Sequence, residues 1–264
     1  NSEISNDGSG GFNIKDGTVN AVRSELHGKG IEVSGGNITL NGTDFTNDDL
    51  AKSFKLTDGT IVMNGNHSVI GTNHGDGNDV TTGKFEMIGG NIKVNGSDNY
   101  IEGGDISVSG GTIDIAQGAT LQSIATLDEN DNPADVATLK LYGNDTKINL
   151  GGKLVANVGG DDRGKIHFQN SNAKIDGNVE DVSLIFEDSH SLNNAISGDI
   201  GGLDILAINK GTLTFDKEPT GTITTVQVGN GATLDIGDKT LHSTGDKADG
   251  EGVIFADNST LAFT

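Results

Sequence analysis

The sequence predicts an all-β fold, namely a right-handed parallel β-helix (solenoid) of about eleven coils with loop insertions between the coils. Two observations lead to this prediction. Short apolar alternations occur in pairs around a glycine-rich corner, and these pairs recur along the chain. The composition also favours a thin core, because 264 residues include 41 Gly, 9 Phe, 2 Tyr and no Trp. Aromatic side chains usually fill thicker globular cores.

The repeat is clearest in residues 84–117, which read KFEMIGGNIKVNGSDNYIEGG and then DISVSGGTIDIAQ. In both lines the second alternation starts seven residues after the first, and the two lines are 21 residues apart. A period of this size is typical of a solenoid coil. Alternation with a period of two is typical of a strand that buries one face. The apolar positions are Phe85, Met87, Ile92 and Val94 in the first line and Ile106, Val108, Ile113 and Ile115 in the second.

The same pattern extends through most of the chain, which we interpret as one domain spanning residues 1–264. Regular coils occupy residues 11–121, and looser coils with longer offsets occupy 138–263. All paired apolar side chains are expected to point into one narrow interior, including Val253, Phe255, Leu261 and Phe263. Residues 187–202 are the weakest part of the pattern, and the sequence there fits either a longer loop or a short helix.

Insertions interrupt the pattern between coils, in residues 41–53, 71–83, 125–137 and 159–164. Loops that leave one corner of a solenoid often form its binding surface, so we expect these segments to contact a partner. Their polar side chains would supply hydrogen bonds and charge pairs. The candidate binding residues are Asp44, Asp48, Asp49, His74, Asp76, Asp79, Asp128, Glu129, Asp131, Asp161, Asp162 and Arg163.

The charge balance limits the classes of partner. Lys and Arg number 17 against 38 Asp and Glu, which gives a formal net charge of −21. Such a field repels phosphate backbones and anionic lipid, so nucleic acid is not an expected partner. No apolar stretch is long enough to span a bilayer. The absence of cysteine suits a protein that crosses an oxidising compartment. Because the chain starts at Asn1 and stops in mid-coil at Thr264, we expect a mature product or a fragment.

Motifs for phosphate and metal binding are incomplete. Residues 159–165 resemble a phosphate loop, but Ile166 stands where the magnesium-binding Ser or Thr belongs. Residues 128–139 begin like a calcium loop, but Pro133 replaces its glycine and Leu139 its glutamate. No cofactor is therefore expected, although the acidic loops could hold calcium weakly. The six histidines share no metal-binding spacing and are predicted to lie at the surface: His27, His67, His74, His167, His190 and His242.

The repeated lines GIEVSGGNITLNGT, KFEMIGGNIKVNGS and DISVSGGTIDIAQGATL resemble the passenger domains of Gram-negative autotransporter adhesins, the AIDA and pertactin-like group. The resemblance is one of repeat style and is best over residues 11–121. It implies a β-helix displayed on the outer membrane or released, working in adhesion, self-association or biofilm formation. It also implies a following translocator barrel, which is absent from this sequence. The family has no shared catalytic residue to transfer.

We therefore expect a bacterial cell-surface or extracellular adhesin rather than an enzyme. Its partner would be a host surface protein, a glycan or another copy of the chain. Two alternatives remain open from the sequence. One is a polysaccharide-cleaving β-helix, to which paired carboxylates in 48–49 or 161–162 could contribute. The other is a passive stalk that lifts another domain from the surface.

Overall fold

A computed structural model describes most of the chain as short parallel strands. The described residues are 2–6, 11–49, 52–72, 84–97, 99–103, 105–124, 138–141, 147–150, 153–157, 165–169, 172–179, 182–245 and 252–264. The first strands are β1 (Ser2–Asn6), β2 (Phe12–Ile14), β3 (Thr18–Val22), β4 (Ser24–Gly28), β5 (Ile31–Asn41), β6 (Asp44–Asn47), β7 (Ser53–Met63), β8 (Val69–Thr72) and β9 (Lys84–Met87). Next come β10 (Asn91–Val94), β11 (Asn99–Glu102), β12 (Asp105–Val108), β13 (Thr112–Ile115), β14 (Thr120–Ile124), β15 (Thr138–Leu141), β16 (Lys147–Leu150), β17 (Lys153–Asn157), β18 (Lys165–Phe168) and β19 (Lys174–Asp176). The remaining elements are β20 (Val182–Phe186), β21 (His190–Ser191), α1 (Leu192–Ala195), β22 (Leu203–Ile208), β23 (Thr212–Thr214), β24 (Ile223–Val228), β25 (Thr233–Asp235), β26 (Gly252–Phe255) and β27 (Thr260–Ala262).

These strands stack into a right-handed parallel β-helix, which confirms the predicted fold class. The first face is a ladder of eleven strands that begins with β2, the start of β5 and the start of β7, and continues through β9, β12, β15, β18, β20, β22, β24 and β26. The second face contains β3, the ends of β5 and β7, and then β10, β13, β16 and β19. The third face contains β1, β4, β6, β8, β11, β14 and β17.

The number of turns differs slightly from the predicted number, because the structure supports about eight turns rather than about eleven. Each of the first six turns has a strand on all three faces, and the sixth consists of β15, β16 and β17. In the eighth turn the second and third faces are reduced to single bridges, Ile175 with Ile196 and Val179 with Ile200. From β22 onward the turns pair on the first face and in a separate four-stranded sheet of β21, β23, β25 and β27. The late turns therefore have a different cross-section.

The third face is a feature that the apolar alternation did not predict. Each of its central strands buries a single large apolar residue, so no alternation of apolar positions is visible in the sequence. These residues are Leu26, Phe45, Ile70 and Ile101, each at most 3% exposed. One consequence corrects an expectation: residues 41–53 are not an inserted loop, since they carry β6, the third-face strand of the second turn.

The core is a single cluster of inward aliphatic and phenylalanine side chains that extends from Ile14 to Leu234. In the second to fifth turns the predicted apolar pairs are at most 2% exposed. Phe54 lies edge-on to Phe45, with ring centroids 5.0 Å apart, and stacks on Phe85 at 5.3 Å. These contacts connect the third face to the first across adjacent turns, so the interior is as narrow as the composition predicted.

The last turn does not follow the prediction that every apolar pair is buried. Val253, Phe255 and Leu261 continue the rows of the buried residues Val226, Val228 and Leu234. Their exposed fractions are nevertheless 48%, 40% and 41%, because no described residue covers them on the far side. Phe263 is exposed as well. The alternation of apolar residues therefore correctly predicted that these side chains point inward. Their burial would also require residues stacked on their far side.

Stacked glycines form the corner between the first and second faces, as the sequence predicted. Gly36, Gly59 and Gly90 occupy this corner in consecutive turns with φ of +79°, +91° and +77°. Glycine adopts these angles without the steric cost that a Cβ brings. Space is also limited, because a Cβ on Gly59 would lie 2.7 Å from the carbonyl carbon of Gly35 in the turn below. Both conditions select glycine at this position.

Residues 187–202, which the sequence left open, contain the short strand β21 and the one-turn helix α1. Ser191 caps the helix, and its hydroxyl accepts a hydrogen bond from the backbone N–H of Asn194. The Lys217 ammonium group donates to the carbonyl oxygens of Ile196 and Gly198 just after the helix. Burial lowers the pKa of Lys217. This lysine therefore satisfies backbone carbonyls where the ladder is interrupted.

Candidate binding surface

Three of the predicted binding residues, Asp44, Asp48 and Asp49, lie on or directly after β6. The other nine fall outside the described residues: His74, Asp76, Asp79, Asp128, Glu129, Asp131, Asp161, Asp162 and Arg163. Their role in binding stays a prediction. The described part of the predicted surface is the corner between the third and first faces in the first three turns, which we call the acidic corner (residues 44–49 and 52).

Asp44 lies in the outer row of the third face, between Glu25 of β4 and Val69 of β8. Partial burial raises the pKa of the Asp44 carboxyl group, and the nearby Glu25 raises it further, whereas His67 lowers it. Desolvation disfavours the charged form of a carboxyl group, which explains the direction of the shift. Asp44 therefore gains a proton more readily than an ordinary surface aspartate.

Asp48 connects two turns rather than projecting from a loop. Its carboxylate Oδ2 lies 2.7 Å from Nδ1 of His27, and both side chains are half-buried. The backbone N–H of Asp48 also donates to the carbonyl oxygen of Gly28 at 2.9 Å. Both contacts reach the turn below, so Asp48 stabilises the stacking of β6 on β4. Its carboxylate could still accept hydrogen bonds from a partner on its exposed side.

Asn47, fully buried, organises the remainder of the acidic corner. Its Oδ1 accepts a hydrogen bond from the N–H of Gly30 at 2.6 Å. Its Nδ2 donates to the carbonyl oxygens of Asp49 at 2.8 Å and Lys52 at 2.7 Å. An amide is suited to this task because it carries both donors and acceptors. The corner is therefore closed by one buried side chain, which the sequence analysis did not identify.

Asp49 and Lys52 stand on the outside of this corner. The Lys52 ammonium nitrogen lies 3.8 Å from Oδ2 of Asp49 and 3.3 Å from the carbonyl oxygen of Lys29. An exposed pair of this kind contributes little to the stability of the fold. Lys52 also borders a groove on the first face.

The histidine prediction is wrong for His190, which is buried at the start of β21. Its ring lies 5.5 Å from that of Phe168 and 5.2 Å from that of Phe186, measured between centroids. Neither ring nitrogen has a hydrogen-bond partner among the residues that the structure describes. Burial lowers the pKa of His190, and Asp188 opposes this effect. Of the others, His67 and His242 are exposed, His27 and His167 are half-buried, and His74 is outside the described residues.

Within the described parts of the chain, no three His, Asp or Glu side chains are grouped closely enough to hold a metal ion. The acidic segments proposed for weak calcium binding, which contain Asp76, Asp79, Asp128, Glu129 and Asp131, are outside that region, so the calcium expectation stays a prediction. Among the same described residues, the helix is too short to cross a membrane.

Comparison of the chain with protein family models, with curated proteins and with solved structures gave no significant match in any of the three. The class that the structure defines is thus a parallel β-solenoid, and a more specific assignment depends on the surface of the chain and on the repeat style of its sequence.

Proposed function

We propose that this chain is a bacterial surface-displayed or secreted binding protein of the autotransporter passenger type. Its function would be adhesion to a host or matrix component, self-association or biofilm formation. The observation that carries the proposal is the parallel solenoid itself, which is compatible with a β-helical passenger domain. The glycine-cornered repeat lines add the resemblance already described. A binding role also fits the acidic corner, where Asp48 contacts His27 in the turn below and Asp49 pairs with Lys52 at the surface.

The shape of the molecule suits this role. A ladder of eleven strands with a spacing of about 4.8 Å extends on the order of 50 Å, and it presents the same outer rows turn after turn. Many weak contacts along such a surface add up through multivalency. The insert segments 71–83, 125–137 and 159–164 would add acidic contact residues at the corners.

Self-association must overcome the net charge of −21 on each copy. At an ionic strength of 0.1 M, charges further apart than about 10 Å are largely screened. We therefore expect association between copies to strengthen with salt. A settling assay on cells that display the chain, run across ionic strength against cells with an empty display system, measures this effect. Absence of clumping at every salt concentration would reject self-association.

Adhesion is tested by attachment of the same cells to immobilised matrix proteins and glycans. Neutralising the loop carboxylates Asp128, Glu129 and Asp131 should weaken attachment. Neutralising the exposed Asp16, Asp58 and Asp257, which removes the same charge at other positions, should not. If all variants attach equally, the loops are not the contact surface and a stalk is favoured. Release of soluble product from any glycan in the panel would instead support an enzyme.

A further inference from the structure

A groove of about 450 Å³ crosses the outside of the first four turns of the first face. It lies beside the acidic corner and is lined by four lysines, Lys29, Lys52, Lys55 and Lys84. Two glutamates, Glu32 and Glu86, are the acidic groups in its lining. We call it the lysine groove. Four ammonium groups and two carboxylates give it a formal charge of +2, whereas the whole chain carries −21.

The ladder register sets the order of these charges. Glu32 of β5 is paired directly with Lys55 of β7, and Lys55 is paired with Glu86 of β9. Because all three lie in one outer row, their Cα atoms repeat at the strand spacing of about 4.8 Å. Lys84 lies two residues before Glu86 on the same strand, so it faces outward as well. Along this row the groove therefore presents a carboxylate, an ammonium group and a second carboxylate in turn, with Lys84 in the neighbouring outer row.

The side of the groove at the acidic corner is built from glycine and the Lys52 stem. A Cβ on Gly30 would lie 2.9 Å from Cδ of Lys52, and one on Gly11 would lie 2.4 Å from the carbonyl oxygen of Gly30. Glycine at both positions lets the turns approach and lets the Lys52 side chain lie across Gly30. With its ammonium group 3.3 Å from the carbonyl oxygen of Lys29, Lys52 is oriented along the edge of the groove.

This arrangement selects among anionic ligands. Lysine ammonium groups bind isolated carboxylates as point charges. Glutamate carboxylates accept hydrogen bonds from hydroxyl groups, but they repel a polymer such as polyphosphate, in which successive anions lie closer together than the carboxylates on successive sugar rings. The ligand must therefore combine separated carboxylates with hydroxyl donors. A linear glycan of uronic acid residues has this chemistry, and one sugar ring in such a chain is comparable in length with the strand spacing.

We propose that the lysine groove binds a linear uronic-acid glycan, with its carboxylates on Lys29, Lys52, Lys55 and Lys84 and its hydroxyl groups on Glu32 and Glu86. The inference rests on the proposed adhesive function for its biological setting, and it names the ligand class and the site. No bond is broken in this process, because the groove supplies only binding contacts.

The test measures binding of a purified galacturonic acid oligomer to the purified chain by isothermal titration calorimetry at low and high salt. The wild type should bind, and binding should weaken as salt screens the charges. The fully methyl-esterified oligomer, which keeps the hydroxyl groups but has no carboxylates, should not bind. Absence of binding to the uronate oligomer at low salt overturns the proposal.

Matched variants locate the site. The double variant Lys55→Gln, Lys84→Gln should weaken binding by about tenfold or more, since one charge-assisted hydrogen bond is worth that factor. The control, Lys140→Gln with Lys165→Gln, removes lysines from the same two outer rows further along the first face. Its affinity should stay close to that of the wild type. Equal losses in both variants would show general charge attraction and would overturn the site.

Two further outcomes separate the competing occupants. Tighter binding of inorganic polyphosphate than of the uronate oligomer would contradict the role given to Glu32 and Glu86. Sedimentation that shows dimers of the wild type, lost only in Lys55→Gln, Lys84→Gln, would assign the groove to an acidic surface of a second copy instead. If the purified chain binds the oligomer while displaying cells do not adhere to any surface, the groove stands and the proposed adhesive function fails.

Discussion

Replacing phenylalanine by alanine at two positions of the same inward row should lower the stability of the fold by very different amounts. Phe186 and Phe255 belong to one inward row of the first face, which continues from Phe186 through Ile208 and Val228 to Phe255. Phe186 is completely buried and stacks on Phe168, with centroids 4.9 Å apart and an interplanar angle of 10°. Phe255 is 40% exposed. The two positions share side-chain type and direction, and they differ in what lies above them.

For Phe186→Ala we expect the free energy of unfolding to fall by about 3–5 kcal/mol, the usual sum of lost transfer energy and residual cavity for a buried phenylalanine. For Phe255→Ala the loss should be below about 1 kcal/mol, since half-exposed side chains leave no cavity. Urea titration followed by far-UV circular dichroism gives both values. Amide hydrogen exchange in β18, β20 and β22 shows whether the loss is local to the neighbouring turns. Equal losses in the two variants would refute the assigned register or the exposed last turn.

Three other predictions test separate features. The contribution of His190 to the free energy of unfolding should be complete above about pH 6.5, the ordinary histidine pKa, and should decrease below it. Burial lowers the pKa of His190, so the unfolded chain takes up the proton first. Thermal melts from neutral to acidic pH should show a flatter profile for His190→Phe but not for His242→Phe. Gly59→Ala should lower the melting temperature more than Gly118→Ala, because both positions have positive φ but only Gly59 faces backbone within 4 Å. Asn47→Ala should cost about 1–3 kcal/mol in urea titration, because it leaves buried backbone groups unpaired.

The two faces that meet at the glycine corner could be predicted because each buries two apolar residues at a spacing of two. The pair Ile92 and Val94, together with Ile113 and Ile115, stacks in the register that the 21-residue spacing implies. The third face was missed because a strand with one inward residue, such as Leu26 or Phe45, has no period. Sequence periodicity detects strands only where the buried side repeats within a single strand.

The binding surface was less predictable than the fold. Asp48 and Asp49 were singled out for charge, yet the structure gives Asp48 a partner in the turn below, His27. The lysine groove was not predicted because its residues come from four different turns, and nothing in the linear sequence places Lys29 and Lys84 in the same groove. Sites of this kind depend on which residues the coils bring into register. The burial of His190 was missed for a similar reason, since it follows from a local change in cross-section.

Where corresponding apolar residues of successive turns stack in register, a single coil can be gained or lost as a unit. Strands β7, β9 and β12 stack in one ladder, in which Phe54 is followed by Phe85 and then by Ile106. Loss of one 21-residue segment would place β12 directly on β7, with Ile106 in the place of Phe85. Gene duplication or deletion can therefore lengthen or shorten such a rod in whole steps without redesigning its interior. Length could then diverge between lineages faster than architecture.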